Sequence, residues 1–355
     1  MKNIKFTQTS ATDIITSDRT TTDRTTARTL MRRRALGACV ACALMTMSGF
    51  ASVQAQTGNF PNKPLKILVP FTAGSGSDVY ARFFGKKLSE ILGQPVIVEN
   101  KPGAGGAVSV QALKAEPADG YTILLGSNSP MAVNVVSVKN LSYDPVVDLR
   151  PVAGMTRSMA VFMVSNSSPL KTIKDLETRG RQQPPLNAGT YSPGYQLAAA
   201  QFTSQAKTPF QNIVYKGLSQ TLTDVMGNQI DLAVVDSTGS VSTATSGKAR
   251  ALLVTGDTRH PELPDVPTLK ESGYPEAVHY SWTSFWVAAK TPDAIVNVLA
   301  EAMQKALAQP DSKVFIEKTG AEVMPFGPDA LRKFQLAEIE RFRKAAQDSG
   351  FKPED

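Results

Sequence analysis

Short apolar runs alternate with amphipathic stretches along residues 57–355, and this alternation predicts strands followed by helices. The clearest unit starts with the apolar run at 65–69, continues through a loop of small residues at 72–77, and enters a helical pattern at Asp78. Short β-rich apolar runs are typical of buried parallel strands, whereas apolar residues three and four apart indicate amphipathic helices. The pattern therefore predicts repeated strand–loop–helix units, which build parallel sheets with crossover helices.

The same alternation divides the chain into two predicted α/β domains. Further strands are predicted at 95–100, 121–125, 160–164, 186–190, 212–215, 230–235 and 249–255, an apolar segment at 285–289 crosses back, and amphipathic helices are predicted at 292–307 and 328–346. We expect residues 57–157 and 282–355 to form domain 1 and residues 158–281 to form domain 2. Each domain is predicted to be a mainly parallel sheet flanked by helices.

The first 55 residues are predicted to be an N-terminal extension and a signal peptide. Met31 precedes three arginines, an apolar run at 35–50 and a small-residue site that ends at Ala55. This order is typical of a secretory signal, and the run is too short and too rich in small residues to indicate a membrane span. We expect translation to start at Met31 rather than Met1, cleavage after Ala55, and a periplasmic location.

Cysteine content and charge change once this leader is removed. Cys39 and Cys42 are the only cysteines and both lie in the apolar run, so the mature chain is predicted to have no disulfide and no thiol chemistry. A lipidated Cys39 is the alternative. The first 56 residues carry eight of the 38 Lys and Arg but only three of the 31 Asp and Glu, so they account for most of the net charge of +7. The basic composition therefore does not predict a nucleic-acid partner.

Four polar loops follow predicted strands, at 72–78, 127–129, 190–195 and 236–238. Ligands of open α/β sheets bind beyond the carboxyl ends of the strands, and two of these loops come from each domain, which predicts a cleft between domains. The first loop leads into a helix N-terminus, whose free N–H groups favour an anion such as a carboxylate or phosphate; a tight turn without a ligand is the alternative. Asp78 is expected to cap that helix or shape the loop. Asp236 could cap the following helix or pair with a ligand amine or hydroxyl.

Catalytic and metal chemistry have little support in the sequence. The two histidines are His260 and His279, no G-x-S-x-G motif occurs, and no spacing of His, Cys or carboxylates is typical of a metal site. We therefore expect no enzyme activity, no metal and no cofactor. The alternative is a secreted α/β hydrolase that uses Ser192 or Ser237.

Six segments in order carry a family resemblance: PFTAGSGSDVYAR at 70–82, GQPVIVENKPGAGG at 93–106, DGYTILL at 119–125, YDPVVDLRPV at 143–152, YKGLSQTLTDVMGNQIDLAVVD at 215–236 and LPDVPTLKESGYPE at 263–276. Together they resemble the periplasmic receptors of tripartite tricarboxylate transporters, the Bug (TctC-like) receptor family. The resemblance covers essentially the whole mature chain.

The resemblance implies a two-domain type II periplasmic binding protein, or Venus flytrap, that captures a small organic carboxylate for integral-membrane transporter subunits. The ligand could be a dicarboxylate or tricarboxylate, an aromatic acid or an acidic amino acid. A monomer is expected, and a receptor that feeds a signalling partner is the alternative. The ligand-binding residues implied by the family's loops, together with the bulky wall residue Tyr195, are Phe71, Thr72, Ala73, Gly74, Ser75, Gly76, Ser77, Asp78, Ser127, Asn128, Ser129, Gly189, Thr190, Tyr191, Ser192, Tyr195 and Asp236.

Departures from the family pattern fall in these same loops. Gln196 stands where many members have histidine, and Ser75 stands where many have glycine. Tyr191, Pro193 and Tyr195 make the second-domain loop bulkier and stiffer. The ligand of a relative therefore cannot be transferred to this chain.

Overall fold

The computed structural model describes residues 60–353. The predicted extension, signal peptide, cleavage site and cysteines lie outside the described residues. Within residues 60–353, no helix has the length and apolar character needed to cross a membrane.

Strands and helices alternate along the described chain. The first elements are β1 (Leu65–Val69), α1 (Gly76–Leu92), β2 (Val96–Asn100), α2 (Ala107–Ala115), β3 (Thr122–Ser127), α3 (Asn134–Ser137) and β4 (Leu149–Ser165). Next come α4 (Ile173–Gly180), β5 (Leu186–Thr190), α5 (Pro193–Ala206), β6 (Phe210–Val214), α6 (Leu218–Met226), β7 (Leu232–Asp236), α7 (Ser237–Thr245) and β8 (Ala249–Val254). The last are β9 (Tyr280–Ala288), α8 (Asp293–Ala308), α9 (Pro310–Lys318), β10 (Glu322–Val323) and α10 (Pro328–Ser349).

The strands form one sheet in the order β2-β1-β3-β9-β4-β7-β5-β6, and β8 and β10 both pair with β4. β1 is parallel to β2 and β3, and β5 is parallel to β6 and β7. We call β2-β1-β3 with its helices the first half and β7-β5-β6 with its helices the second half. β4 and β9 pair antiparallel between them. The predicted two-domain α/β fold is confirmed.

Two strands are longer than the sequence pattern predicts. The pattern predicts a strand at 160–164 and an apolar segment that crosses back at 285–289, whereas β4 begins at Leu149 and β9 extends from Tyr280 to Ala288. The added residues of β4 include Arg150, Pro151 and Gly154, which weaken a local strand pattern. They are extended because β9 pairs with β4 from Leu149 to Met159, so tertiary pairing overrides local preference.

The predicted domain boundaries lie in these two strands. Arg157 is the register partner of Trp282, and Ser158 is the partner of Ser281. The boundaries at 157/158 and 281/282 therefore fall opposite each other in adjacent strands, as crossing points between two domains would. The division itself stays a prediction.

Two buried aromatic side chains of β9 pack in the hydrophobic core. Trp282 and Trp286 are among the largest fully buried side chains, and they lie on one face of the strand. The indole N–H of Trp282 donates to the Glu338 carboxylate of α10 at 2.9 Å. This hydrogen bond joins the C-terminal helix α10 to β9 and stabilises the position of the strand.

Candidate functional site

The N-terminus of α1 is shaped by side chains of its own loop. Ser75 is the N-cap, and its Oγ accepts the Asp78 N–H at 3.3 Å. The Asp78 carboxylate in turn accepts the Gly74 N–H at 3.0 Å and contacts Arg82 and Asn100. Burial alone would raise the pKa of Asp78, but these hydrogen bonds and the Arg82 charge outweigh it and hold the pKa below its usual range. Asp78 is therefore the third residue of the helix rather than its N-cap, and its carboxylate orders the loop.

A small cavity lies between this helix N-terminus and the second half. Its volume is about 10 Å³, which corresponds to roughly one water molecule. Pockets that hold organic ligands measure roughly 300–1,000 Å³, so a multi-atom ligand can enter only when the walls separate. The lining residues are Phe71, Gly76, Ser77, Tyr80, Ser127, Asn128, Ser158, Tyr191, Ser192, Tyr195, Asp236, Ser281 and Thr283.

The two rims of the cavity face and touch each other. The Gly194 N–H at the start of α5 donates to Ser129 Oγ at 3.1 Å. At the start of α7, Thr238 Oγ1 lies 3.2 Å from the Tyr80 hydroxyl of α1. These contacts join Ser129 and helix α1 of the first half to helix N-termini of the second half. The conformation is therefore a closed one, with polar contacts at the seam between the halves.

Hydroxyl groups and one carboxyl group dominate the electrostatics of the cavity. Among the described residues that line it there is no Lys, Arg or His. Asp236 is almost fully buried, and burial raises its pKa although Tyr191 and the backbone N–H of Gly239 donate to it. Burial also raises the pKa values of Tyr80, Tyr191 and Tyr195, so these side chains are neutral hydrogen-bond donors.

Several buried hydroxyls at the seam have no partner among the described residues. Ser127 lines the cavity and is 3% exposed, and its Oγ is buried without a partner. Thr72 Oγ1 and Ser237 Oγ, which belong to the residues that follow the lining residues Phe71 and Asp236 in the chain, are also buried without a partner. A buried polar group without a hydrogen bond costs about 1–3 kcal/mol, so such groups indicate a place where a further partner is accommodated.

The predicted ligand-binding set divides into residues that line the cavity and residues that lie elsewhere. Nine predicted residues line the cavity: Phe71, Gly76, Ser77, Ser127, Asn128, Tyr191, Ser192, Tyr195 and Asp236. Those placed elsewhere are Thr72, Ala73, Gly74, Ser75, Asp78, Ser129, Gly189 and Thr190. Thr190, for example, donates to Asn212 Oδ1 at 2.9 Å within the second half. Ligand contact by any of these residues stays a prediction.

Four lining residues were missed by the sequence reasoning: Tyr80, Ser158, Ser281 and Thr283. Tyr80 is one helical turn after Gly76, so helical spacing could have placed it on the same face. Ser281 and Thr283 alternate with buried Trp282, which is the period of a strand with one polar face. Ser158 had no local signal, because its position follows from the pairing of β4 with β9.

Both histidines have structural roles. His279 Nδ1 lies 3.1 Å from Gln201 Oε1, its Nε2 lies 3.5 Å from Asn128 Nδ2, and burial lowers its pKa to about 3. His260 Nε2 lies 3.1 Å from the Thr319 carbonyl oxygen, and burial lowers its pKa too. These contacts engage the imidazoles with groups other than the hydroxyls that a hydrolase would need. Within residues 60–353, no group of three or more His, Cys, Asp or Glu side chains could hold a metal ion.

An outer groove of about 440 Å³ adjoins the cavity. Phe71, Tyr191 and Ser192 line both spaces, so these side chains form the wall between them. The Phe71 and Tyr191 rings pack edge to face with centroids 5.5 Å apart. Because one of these rings comes from each half, separation of the halves opens a route from the groove to the cavity.

Comparison with known proteins identifies the family. The family described as "Tripartite tricarboxylate transporter family receptor" matches residues 80–351. The chain belongs to this receptor family. Protein BugT of Bordetella pertussis is 31% identical to this receptor over 313 residues, which cover 85% of the receptor and 93% of BugT.

Solved structures share the receptor's fold, and one of them is the periplasmic binding protein BugD, with a TM-score of 0.79, 28% identity and coverage of 83% of this receptor and all of that chain. The R. palustris protein Rpa4515 with adipate has a TM-score of 0.80 and 29% identity, and the match covers 83% of this receptor and all of that chain. MatC from Rhodopseudomonas palustris with bound malate has a TM-score of 0.77 and 26% identity, with coverage of 81% and 99%. The receptor is therefore a member of a periplasmic solute-binding family whose neighbours bind carboxylates.

Proposed function

We infer that this receptor captures a small organic carboxylate in the cavity between its two halves and delivers it to a tripartite tricarboxylate-type membrane transporter. The ligand is a dicarboxylate or tricarboxylate, an aromatic acid or an acidic amino acid. The single observation that carries this inference is the cavity itself, with a helix N-terminus and an unpartnered buried hydroxyl in walls drawn from both halves.

The N-terminus of α1 supplies the attraction for a carboxylate. The first N–H groups of a helix have no partner within the helix, and the helix dipole adds positive potential at this end. Gly76 and Ser77, the first two residues of α1, line the cavity. A carboxylate seated there accepts backbone hydrogen bonds without any cationic side chain, in a site from which bulk water is excluded.

Ligand binding is expected to favour the closed arrangement of the two halves. A ligand shifts an opening equilibrium only if it binds the two states with different affinity. A carboxylate at α1 that also reaches Tyr191 and Ser192 contacts both halves at once, so it stabilises the closed state. The closed surface can then be recognised by the membrane subunits, and separation of the halves releases the ligand.

Structural neighbours support the ligand class. One holds adipate and another holds malate, which are both dicarboxylates. The aromatic wall of Phe71 and Tyr191 also suits an apolar or aromatic body between polar ends. This chain's own ligand is to be found by experiment, because the wall residues differ from the family pattern.

Titration calorimetry with a panel of dicarboxylates, tricarboxylates, aromatic acids and acidic amino acids tests the proposal. At least one class should bind, and mass spectrometry should detect a member of that class in protein purified under native conditions. Ser77→Arg places a long side chain in the cavity wall and should abolish binding, whereas Ser242→Arg on the exposed face of α7 should not. Absence of any binder in the panel, or binding by Ser77→Arg equal to that of the parent, would overturn the proposal.

A further inference from the structure

Asp236 reaches across the seam to the N-terminus of α1. It is the last residue of β7 and the N-cap of α7, where its Oδ1 accepts the Gly239 N–H at 2.6 Å and its Oδ2 accepts the Tyr191 hydroxyl. A Cβ built on Gly76 would lie 2.7 Å from Oδ1, and the Gly76 N–H is among the donors that favour the charged carboxylate. A carboxylate of the second half thus lies at the backbone N–H group that attracts anions to the first half.

The surroundings of Asp236 offer hydrogen bonds but no opposite charge. The titratable groups that face it are Tyr80 from α1, Tyr191 from the loop before α5, and Tyr195 from α5. The adjoining wall positions on β4 and β9 are Ser158, Ser281 and Thr283, which carry no charge. The nearby Asp78 carboxylate is paired with Arg82 inside the first half. A second carboxylate in this cavity would therefore meet Asp236 without a cation between them.

Two carboxylates that share a desolvated site cannot both stay ionised, because like charges at short range in low dielectric raise the pKa of one of them. We propose that Asp236 is an internal competitor for the anion site at the N-terminus of α1, and that it takes up a proton when a ligand carboxylate binds there. The inference rests on the proposed function and deepens it, because it makes capture sensitive to pH. The protonated carboxyl then donates a hydrogen bond where the charged form would repel.

Proton uptake by Asp236 should make the ligand affinity rise as pH falls. Binding that takes up one proton tightens as pH falls, by up to about tenfold per pH unit where Asp236 is ionised in the free protein and protonated in the complex. A ligand that stays fully ionised over the range isolates this effect from its own titration. Malate and adipate meet that requirement above neutral pH, since unperturbed carboxyl groups have pKa values near 4.

The experiment is calorimetric titration of the full chain with malate and with adipate at pH 7.0, 7.75 and 8.5, in Bis-Tris propane and in Tris, which differ in heat of ionisation and are not anions. The difference in heat between buffers counts protons, and about one should be taken up per ligand bound. Asp236→Asn keeps a good N-cap for α7. This variant should take up no proton, show pH-independent affinity, and bind at pH 8.5 at least tenfold more tightly than the parent.

Asp231→Asn is the matched control, since Asp231 precedes β7 at its far end and accepts the Asn187 N–H at 2.7 Å. Ligand binding by Asp231→Asn should take up about one proton, as it does in the parent. Binding by the parent without proton uptake overturns this inference but leaves the proposed function intact. Weaker binding by Asp236→Asn also overturns it, since Asp236 would then accept a hydrogen bond from the ligand. Failure of both forms of the protein to bind either acid or any member of the panel overturns the inference together with the proposed function.

Discussion

Ser127→Ala separates a ligand-binding role from a structural one more cleanly than other changes in the cavity. Ser127 Oγ is buried at the end of β3 and has no hydrogen-bond partner among the described residues. Most buried polar side chains hold the native fold together, so truncating them costs stability. Here the hydroxyl contributes no such bond, and the change removes a desolvated polar atom.

Opposite effects on stability and affinity are expected. An unpaired buried hydroxyl costs about 1–3 kcal/mol, part of which is offset by the small void that alanine leaves, so the free energy of unfolding should stay unchanged or rise by up to about 1 kcal/mol. A hydrogen bond to a charged acceptor contributes about 1.5–3 kcal/mol, so affinity for a carboxylate should fall roughly 10- to 100-fold.

Urea unfolding and calorimetric titration measure the two quantities on the same preparation. Ser312→Ala is the control, because Ser312 Oγ is also buried without a partner but lies in α9, outside the cavity lining. Both variants should behave alike in urea, and only Ser127→Ala should lose affinity. An unchanged affinity, or a loss of stability above about 1 kcal/mol for Ser127→Ala alone, would refute the reasoning.

Three further changes probe the seam, the acid response and the helix that forms the anion site. Gly217→Ala adds a Cβ that would lie 1.9 Å from Thr72 Oγ1 in the first half, so the variant should favour the open form. Its radius of gyration in X-ray scattering should increase and its ligand affinity should fall. Gly327→Ala, whose Cβ would lie 3.6 Å from the nearest atom, should change neither the radius of gyration nor the affinity. Burial lowers the pKa of His279 to about 3 in the folded protein, against about 6.5 in the unfolded chain, so its imidazole is neutral in the fold and stability is lost as pH falls below 6.5. Between pH 7 and pH 5, the free energy of unfolding in urea should fall by about 2 kcal/mol more for the parent than for His279→Gln. Equal losses for the two proteins would contradict this. Ser75→Ala removes the N-cap of α1 and should cost about 1 kcal/mol in the same assay, so an unaltered unfolding midpoint would argue against the cap.

Local pattern alone determined most of the repeated units. The predicted strands at 65–69 and 186–190 coincide with β1 and β5, because each is a short run that ends at a turn rich in Ser, Gly and Pro. The same turns marked the carboxyl ends of parallel strands, and these ends meet at one edge of a sheet. Eight cavity residues, including Ser127 and Asp236, could therefore be predicted from loops far apart in the chain, and the ninth, Phe71, was implied by the family resemblance.

Features that depend on partners distant in sequence were decided by the tertiary structure. The full length of β4, and with it the place of Ser158, follows from pairing with β9 more than 120 residues later. The contact of Asp236 with the N-terminus of α1 likewise exists only because the two halves close on each other. Hydrophobic period and turn chemistry act over a few residues, so they determine which elements form and where their polar ends lie. Which polar ends meet, and whether a buried group finds a partner there, depends on packing between elements, and that is a property of the folded chain.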